Sequence, residues 1–235
     1  MTLAVTKWLR WTLLGVSVGS TTLRGAPSMW VSSATALPGT TVQVAVNYAP
    51  DTNTPSLQLD LTYSPDFLTN DVPVPGDALT DQVMASSQAA PGDLRMYFYS
   101  FSNSSLVPGT LLTVGFRISP DAPDHDESLS LSNVIVDTVV AGNVYVVPVT
   151  LTNGVLSVVV PPQFTAVYRN SSGGIHLQLA GGPGRSYVIG ASTNIALPQP
   201  WPALLTNVDT SSVREIDDAS AASLPKRFYR ARLTP

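Results

Sequence analysis

The sequence contains no cysteine. That excludes a disulfide framework, a thiolate nucleophile and a zinc–thiolate centre. Charge is scarce too: Asp, Glu, Lys and Arg make up 12% of the 235 residues, about half the usual share. The formal net charge is -4, without the concentrated Lys and Arg that nucleic-acid phosphates require. Only two histidines occur, His125 and His176. With no Gly-x-Ser-x-Gly nucleophile elbow either, a serine triad has little to draw on. No segment shows convincing helical periodicity beyond two turns.

What is abundant points to strands and turns. The chain has 20 Pro, 16 Gly and 44% hydrophobic residues, a composition that suits extracellular β-sandwiches. In Leu57–Pro65, apolar Leu57, Leu59, Leu61 and Tyr63 alternate with polar Gln58, Asp60 and Thr62. A two-residue period predicts a strand with one buried and one solvated face, and Pro65 closes it.

The first 28 residues read as an export leader. Lys7 and Arg10 precede a short apolar core, Trp11–Val18, far below the ~20 residues of a membrane span. The chain is therefore expected to be secreted, with cleavage near Gly19-Ser20, near Gly25-Ala26 or after Ala36. Lack of cysteine does not oppose export, because a chain this long can stabilise itself without disulfides.

Residues 29–160 read as one sandwich of about nine strands. Trp30–Ala36 and Thr41–Tyr48 flank a Leu37-Pro38-Gly39-Thr40 turn. After Leu57–Pro65, residues 78–88 are compatible with either strand or short helix. Leu94–Phe101 is the most aromatic strand, and Thr110–Ser119, Ser128–Val136, Val144–Leu151 and Val155–Val160 follow. Turns every 8 to 15 residues predict an antiparallel sandwich or jelly roll. Pro161-Pro162 opens a linker over 161–163. Residues 164–235 carry further strand patterns at Phe164–Arg169, Ile175–Leu179, Tyr187–Ala191 and Phe228–Leu233, a second small β-sandwich.

Few residues suggest chemistry. Asp121, Asp124, Asp126 and Glu127 would supply oxygen ligands to calcium, yet their spacing lacks the EF-hand pattern, and a solvated turn is the favoured reading. A glycosidase needs two carboxyls flanking a sugar-sized cleft, one with a raised pKa; Asp60 and Asp81 are conceivable on one face, but sparse carboxylates in turns are what any soluble sandwich has. His176 falls on the polar face of its strand and is expected to be simply exposed. The aromatic strand is the better lead. It places Leu94, Met96 and Phe98 on one face and Arg95, Tyr97, Tyr99 and Phe101 on the other, and exposed Tyr and Arg make good interface anchors.

The segments Leu37–Val46, Leu57–Pro65, Gly76–Leu79, Gly92–Met96, Pro108–Phe116, Leu129–Val134 and Asn153–Val158 follow one another in a characteristic order and spacing. Taken together they resemble the cohesin domain, the module that binds dockerins in cellulosome scaffolds. The resemblance implies a nine-stranded jelly roll without catalytic residues, one flat sheet face of which receives a dockerin. On that face it would place Gln58, Asp60 and Thr62 beside Arg95, Tyr97 and Tyr99. No cofactor is implied. Direct carbohydrate binding by the same aromatics, or a purely structural role in the cell envelope, are the competing readings. The last 75 residues resemble a short β-domain that ends secreted proteins of some Gram-negative bacteria. That likeness rests on Gly184–Ile189, Ala191–Asn194, Trp201, Leu204-Leu205 and Pro225–Ala231.

Overall fold

A computed structural model describes residues 26–196, 201–209 and 213–234. The proposed leader lies outside these residues except for its last three, and Ser28 already opens the first strand. The first part of the chain forms strands β1 (Ser28–Val31), β2 (Ala34–Ala36), β3 (Thr41–Ala49), β4 (Ser56–Thr62), β5 (Leu68–Asn70), β6 (Val74–Pro75) and β7 (Val83–Ala90). It continues with β8 (Asp93–Tyr99), β9 (Gly109–Ile118), β10 (His125–Val140), β11 (Asn143–Val147), β12 (Thr150–Thr152) and β13 (Gly154–Val158). One sheet has the order β12-β1-β3-β9-β5, with β6 also on β9. The other runs β2-β13-β10-β4-β8-β7, with β11 also on β10.

The two sheets close on one core. Val44, Val46 and Tyr48 of β3 and Leu112, Val114 and Phe116 of β9 meet Leu57, Leu59 and Leu61 of β4 and Leu94, Met96 and Phe98 of β8, all of them buried. Each such side chain contributes about 1.5–3 kcal/mol by leaving water. Tyr63 stacks edge-on against Phe116 with ring centroids 5.0 Å apart, and its hydroxyl donates to Asn70 Oδ1 at 2.6 Å. The Tyr48 hydroxyl is paired with Thr54 Oγ1 at 3.0 Å.

Three expectations change. Trp30–Ala36 is not one strand: β1 belongs to the first sheet and β2 to the second. The chain crosses between them at Ser32-Ser33, whose hydroxyls accept from Ala45 N at 2.9 Å and Val155 N at 3.1 Å. Side chains thus replace ladder partners lost at the crossing. Residues 83–90 settle as an edge strand on β8. Val144–Leu151 breaks at Pro148-Val149 into β11 and β12, which pair in different sheets, since proline cannot donate to a ladder.

After Pro161-Pro162 come β14 (Gln163–Arg169), β15 (Ile175–Ala180), β16 (Ser186–Ser192), β17 (Ala203–Asp209), β18 (Val213–Asp218), a 3₁₀ turn (Ala219–Ser223) and β19 (Phe228–Leu233). They make two three-stranded sheets, β14-β15-β18 and β17-β16-β19, over Leu177, Leu179, Tyr187, Ile189 and Ile216. The sequence pattern missed β17 and β18. Within β18 only Ile216 and Asp218 are buried, too little apolar content for a period. Buried Asp218 accepts from Ser220 N at 3.1 Å, Arg227 Nε at 3.2 Å and the Tyr229 hydroxyl at 3.0 Å. Burial alone would raise its pKa, but these donors hold it below the usual carboxylate value. The Lys226-Arg227-Phe228-Tyr229 ending is thus explained by packing: two of its side chains satisfy one buried charge.

Candidate interaction face

The structure brings all six candidate contact residues onto one face. Across the β4–β8 ladder, Ser56 lies opposite Tyr99, Gln58 opposite Tyr97, Asp60 opposite Arg95 and Thr62 opposite Asp93. On the other side of β4, Asp137, Ile135, Ser132 and Ser130 of β10 face Ser56, Gln58, Asp60 and Thr62 in turn. Val83, Ala85 and Ser87 of β7 complete the rows beyond Tyr99, Tyr97 and Arg95. Directly opposed residues share a face and touch. The result is a graded surface, with serines and threonine at one end and Tyr97, Tyr99, Val83 and Ile135 exposed at the other.

Asp60 departs from the expectation of a solvated strand face, being 0% exposed. Arg95 donates to it through Nε at 2.7 Å and Nη2 at 2.6 Å. Asn133 Nδ2 adds a third bond at 2.7 Å. Hydrogen bonds from Arg95, opposed by burial and helped by Asn133, hold the Asp60 carboxyl below its ordinary pKa. The Arg95 guanidinium is in turn held firmly protonated, first by its hydrogen bond to Asp60. A partner cannot reach Asp60; it meets Arg95, whose guanidinium the carboxylate orients.

Sequence reasoning missed Asn133. It has φ 47°, in the left-handed region that Asn tolerates better than most residues, at the register shift between Ser132 and Ile135. That bulge turns its amide under Arg95. Gln58 Nε2 reaches Asn133 O at 3.4 Å and Thr62 Oγ1 reaches Ser130 O at 3.3 Å, so both candidate polar contacts are tethered to β10. Tyr97 and Tyr99 are 40% and 38% exposed. Tyr99 also packs edge-on against Phe101, with centroids 5.3 Å apart. Phe101 lies past the end of β8 and is almost fully exposed.

The remaining candidates find other uses. Asp124 pairs with Arg185 Nε at 2.9 Å and accepts from Val160 N at 3.0 Å, Asp126 lies 3.4 Å from Arg185 Nη2, and Glu127 accepts from Ser64 N at 2.8 Å. Three of the four proposed calcium ligands thus bind protein donors, two of them the same Arg185 guanidinium, and no three such side chains converge as a metal site among the described residues. Asp81 accepts from the hydroxyls of Ser102 and Ser104. The Ser102 bond, above all, holds it below its usual pKa. Asp60 and Asp81 are therefore both stabilised as anions, the opposite of what a general acid needs. His176 is not simply exposed. Its Nδ1 lies 2.8 Å from Asp217 Oδ1, its Nε2 contacts Glu215, and its ring packs on Tyr168 at 4.7 Å. Asp217 first and Glu215 second raise its pKa.

The two-layer sandwich defines the class: the first domain adopts a cohesin fold. No family model matches the chain, and no curated protein does. Solved structures do. The seventh ScaB type I cohesin of Pseudobacteroides cellulosolvens aligns with a TM-score of 0.52 at 15% identity, covering 57% of this chain and 92% of its own. A type I cohesin, Coh-OlpA, from a cohesin–dockerin complex of Clostridium thermocellum gives 0.52 at 12% identity over 57% and 99%. The sixth cohesin of scaffoldin B from Acetivibrio cellulolyticus, in complex with a mutant Cel5 dockerin, gives 0.50 at 16% over 57% and 99%. At these identities the likeness is one of fold. It spans the first domain and leaves the C-terminal sheets without a counterpart.

Proposed function

We propose that this chain is a secreted, non-catalytic docking module. Its β7-β8-β4-β10 face would receive a dockerin-type partner in a polysaccharide-degrading or cell-surface assembly. The observation that carries the reading is the pair Tyr97 and Tyr99, exposed on a sheet face beside a guanidinium locked by Asp60, whose carboxylate Asn133 also holds. Rigid aromatics bring contact area at low entropy cost, and a preoriented Arg adds direction. The fold supports it, because two of the similar structures are cohesins captured with dockerins. Sandwich folds serve many functions, so it is the face, beyond the fold alone, that favours docking.

Calorimetric titration with a panel of dockerins from the same source tests this. Saturable heat with an affinity that Tyr97→Ala lowers supports the docking reading; no heat with any of them at micromolar concentration overturns it. The exposed Tyr99–Phe101 pair favours one alternative, stacking on sugar rings. Retardation on cellulose, xylan or pectin affinity gels, without a protein partner, would establish that instead.

A further inference from the structure

The β10–β11 hairpin carries an edge that nothing described here covers. β10 extends past its last β4 partner, Asp137 opposite Ser56, and returns through Ala141-Gly142 into β11. Ala141 and Gly142 have φ 50° and 80°, the pair of positive angles that defines a type I′ turn. In such a two-residue hairpin the closing pair, here Val140 and Asn143, exchanges hydrogen bonds. Alternation then directs the backbone groups of Asn143, Tyr145 and Val147 toward β10 and those of Val144 and Val146 outward. Among the described residues no strand pairs with that outward side.

The side chains do nothing to protect it. Val144, Tyr145 and Val146 are 64%, 53% and 68% exposed. No Asp, Glu, Lys, Arg or His occurs between Asp137 and Arg169. Natural sheets blunt their edges with charge, proline, bulges or brevity. The other free edges of this sheet follow that habit: β2 has three residues, and β7 carries Ser86, Ser87 and Gln88 with a register shift. β11 is apolar and unbroken.

We propose that β11 pairs antiparallel with β11 of a second copy, about a twofold axis through Tyr145. Val144 then opposes the second copy's Val146, and Val146 its Val144, each pair exchanging both outward N–H···O=C bonds. A strand is the occupant because an open ladder offers alternating donors and acceptors and little else. A second copy fits because the segment is self-complementary: valine meets valine and no like charges are brought opposite each other. The nearest carboxylate, Asp137, sits one strand away and accepts from Ser56 Oγ at 2.8 Å. Paired residues point their side chains to the same side, so the interaction faces of both copies look the same way. Under the docking reading above, and only under it, such a dimer is bivalent and gains avidity.

Sedimentation of the full chain, with no partner added, over a series from low micromolar to near millimolar concentration tests this. A monomer–dimer equilibrium is expected. Val144→Pro removes an outward N–H, and Val146→Lys sets two ammonium groups diagonally across the axis. Each should abolish the dimer without changing the circular dichroism, or the melting temperature at low concentration where the wild type is also monomeric, since both side chains are exposed. The amides of Val144 and Val146 should exchange slowly with solvent only at concentrations where the dimer forms. A monomer throughout, a dimer indifferent to both variants, or fast exchange of both amides at every concentration would each overturn the proposal. A chain that dimerises but binds no dockerin keeps this inference and loses the docking reading.

Discussion

Asp60 and Arg95 face each other across the β4–β8 ladder, and the Arg95 guanidinium grips the fully buried Asp60 carboxylate with two hydrogen bonds of 2.7 and 2.6 Å. The pair is asymmetric, because the Arg95 side chain keeps 33% of its surface in water while Asp60 keeps none. Removing the arginine therefore strands a buried charge, whereas removing the aspartate leaves a cation that can hydrate. Arg95→Ala is expected to destabilise the fold more than Asp60→Ala does, measured by urea unfolding at neutral pH. The folded pKa of Asp60 lies below its unfolded value, so its contribution is present above the unfolded pKa and fades as pH falls through the folded one. The gap between wild type and Asp60→Ala should accordingly narrow in acid.

Tyr97 tests function separately from folding. Its ring is 40% exposed on a strand whose other face fills the core, so Tyr97→Ala removes little packing. The melting temperature should stay close to wild type. Affinity for a dockerin partner should fall by about 2 kcal/mol, the size of an interface anchor. Arg95→Lys should weaken binding too, because an ammonium cannot hold Asp60 with two parallel bonds.

The buried half of the first domain was legible, and the exposed half only partly. Leu57, Leu59 and Leu61 follow a two-residue period, and period alone assigns them to the core. The same period put Asp60 in water, which is wrong, because its burial depends on which residues of β8 and β10 lie opposite. Register is a tertiary property; no local signal says that Arg95 and the left-handed Asn133 converge there. His176 repeats the lesson. Its own strand pattern predicts only exposure, since both its carboxylate partners lie on β18, a strand whose sequence, Val-Arg-Glu-Ile-Asp-Asp, gives no periodic cue.

His176 should make the C-terminal domain sensitive to pH. Both ring nitrogens face carboxylates, Asp217 and Glu215, so the doubly protonated ring satisfies both. Hydrogen bonds to Asp217 and then Glu215 raise the folded pKa above the ordinary histidine value. Its contribution is therefore complete below the unfolded pKa and lost as pH rises through the folded one. Melting temperature should decline over that window in the wild type and less steeply in His176→Gln. Equal slopes would show that the cluster does not contribute.

Arg185 joins the two domains through the loop that looked like a calcium site. Its Nε meets Asp124 Oδ1 at 2.9 Å, while Asp124 Oδ2 accepts from Val160 N at 3.0 Å, beside the Pro161-Pro162 linker. The Asp124 side chain is only 4% exposed, so salt screens the pair weakly. The chain comes so close at Gly182 that an added Cβ would lie 2.1 Å from Asp124 Oδ2. Arg185→Ala leaves the carboxylate with its backbone donor but no counter-charge, and should cost about 2 kcal/mol of coupling between the domains. Gly182→Ala should act in the same direction by pushing the carboxylate off its partners. Both variants are expected to unfold in two separated steps where the wild type unfolds in one, and to be cut faster by proteases around residues 161–163. Unchanged cleavage and a single transition in both would mean that Arg185 decorates the junction without holding it.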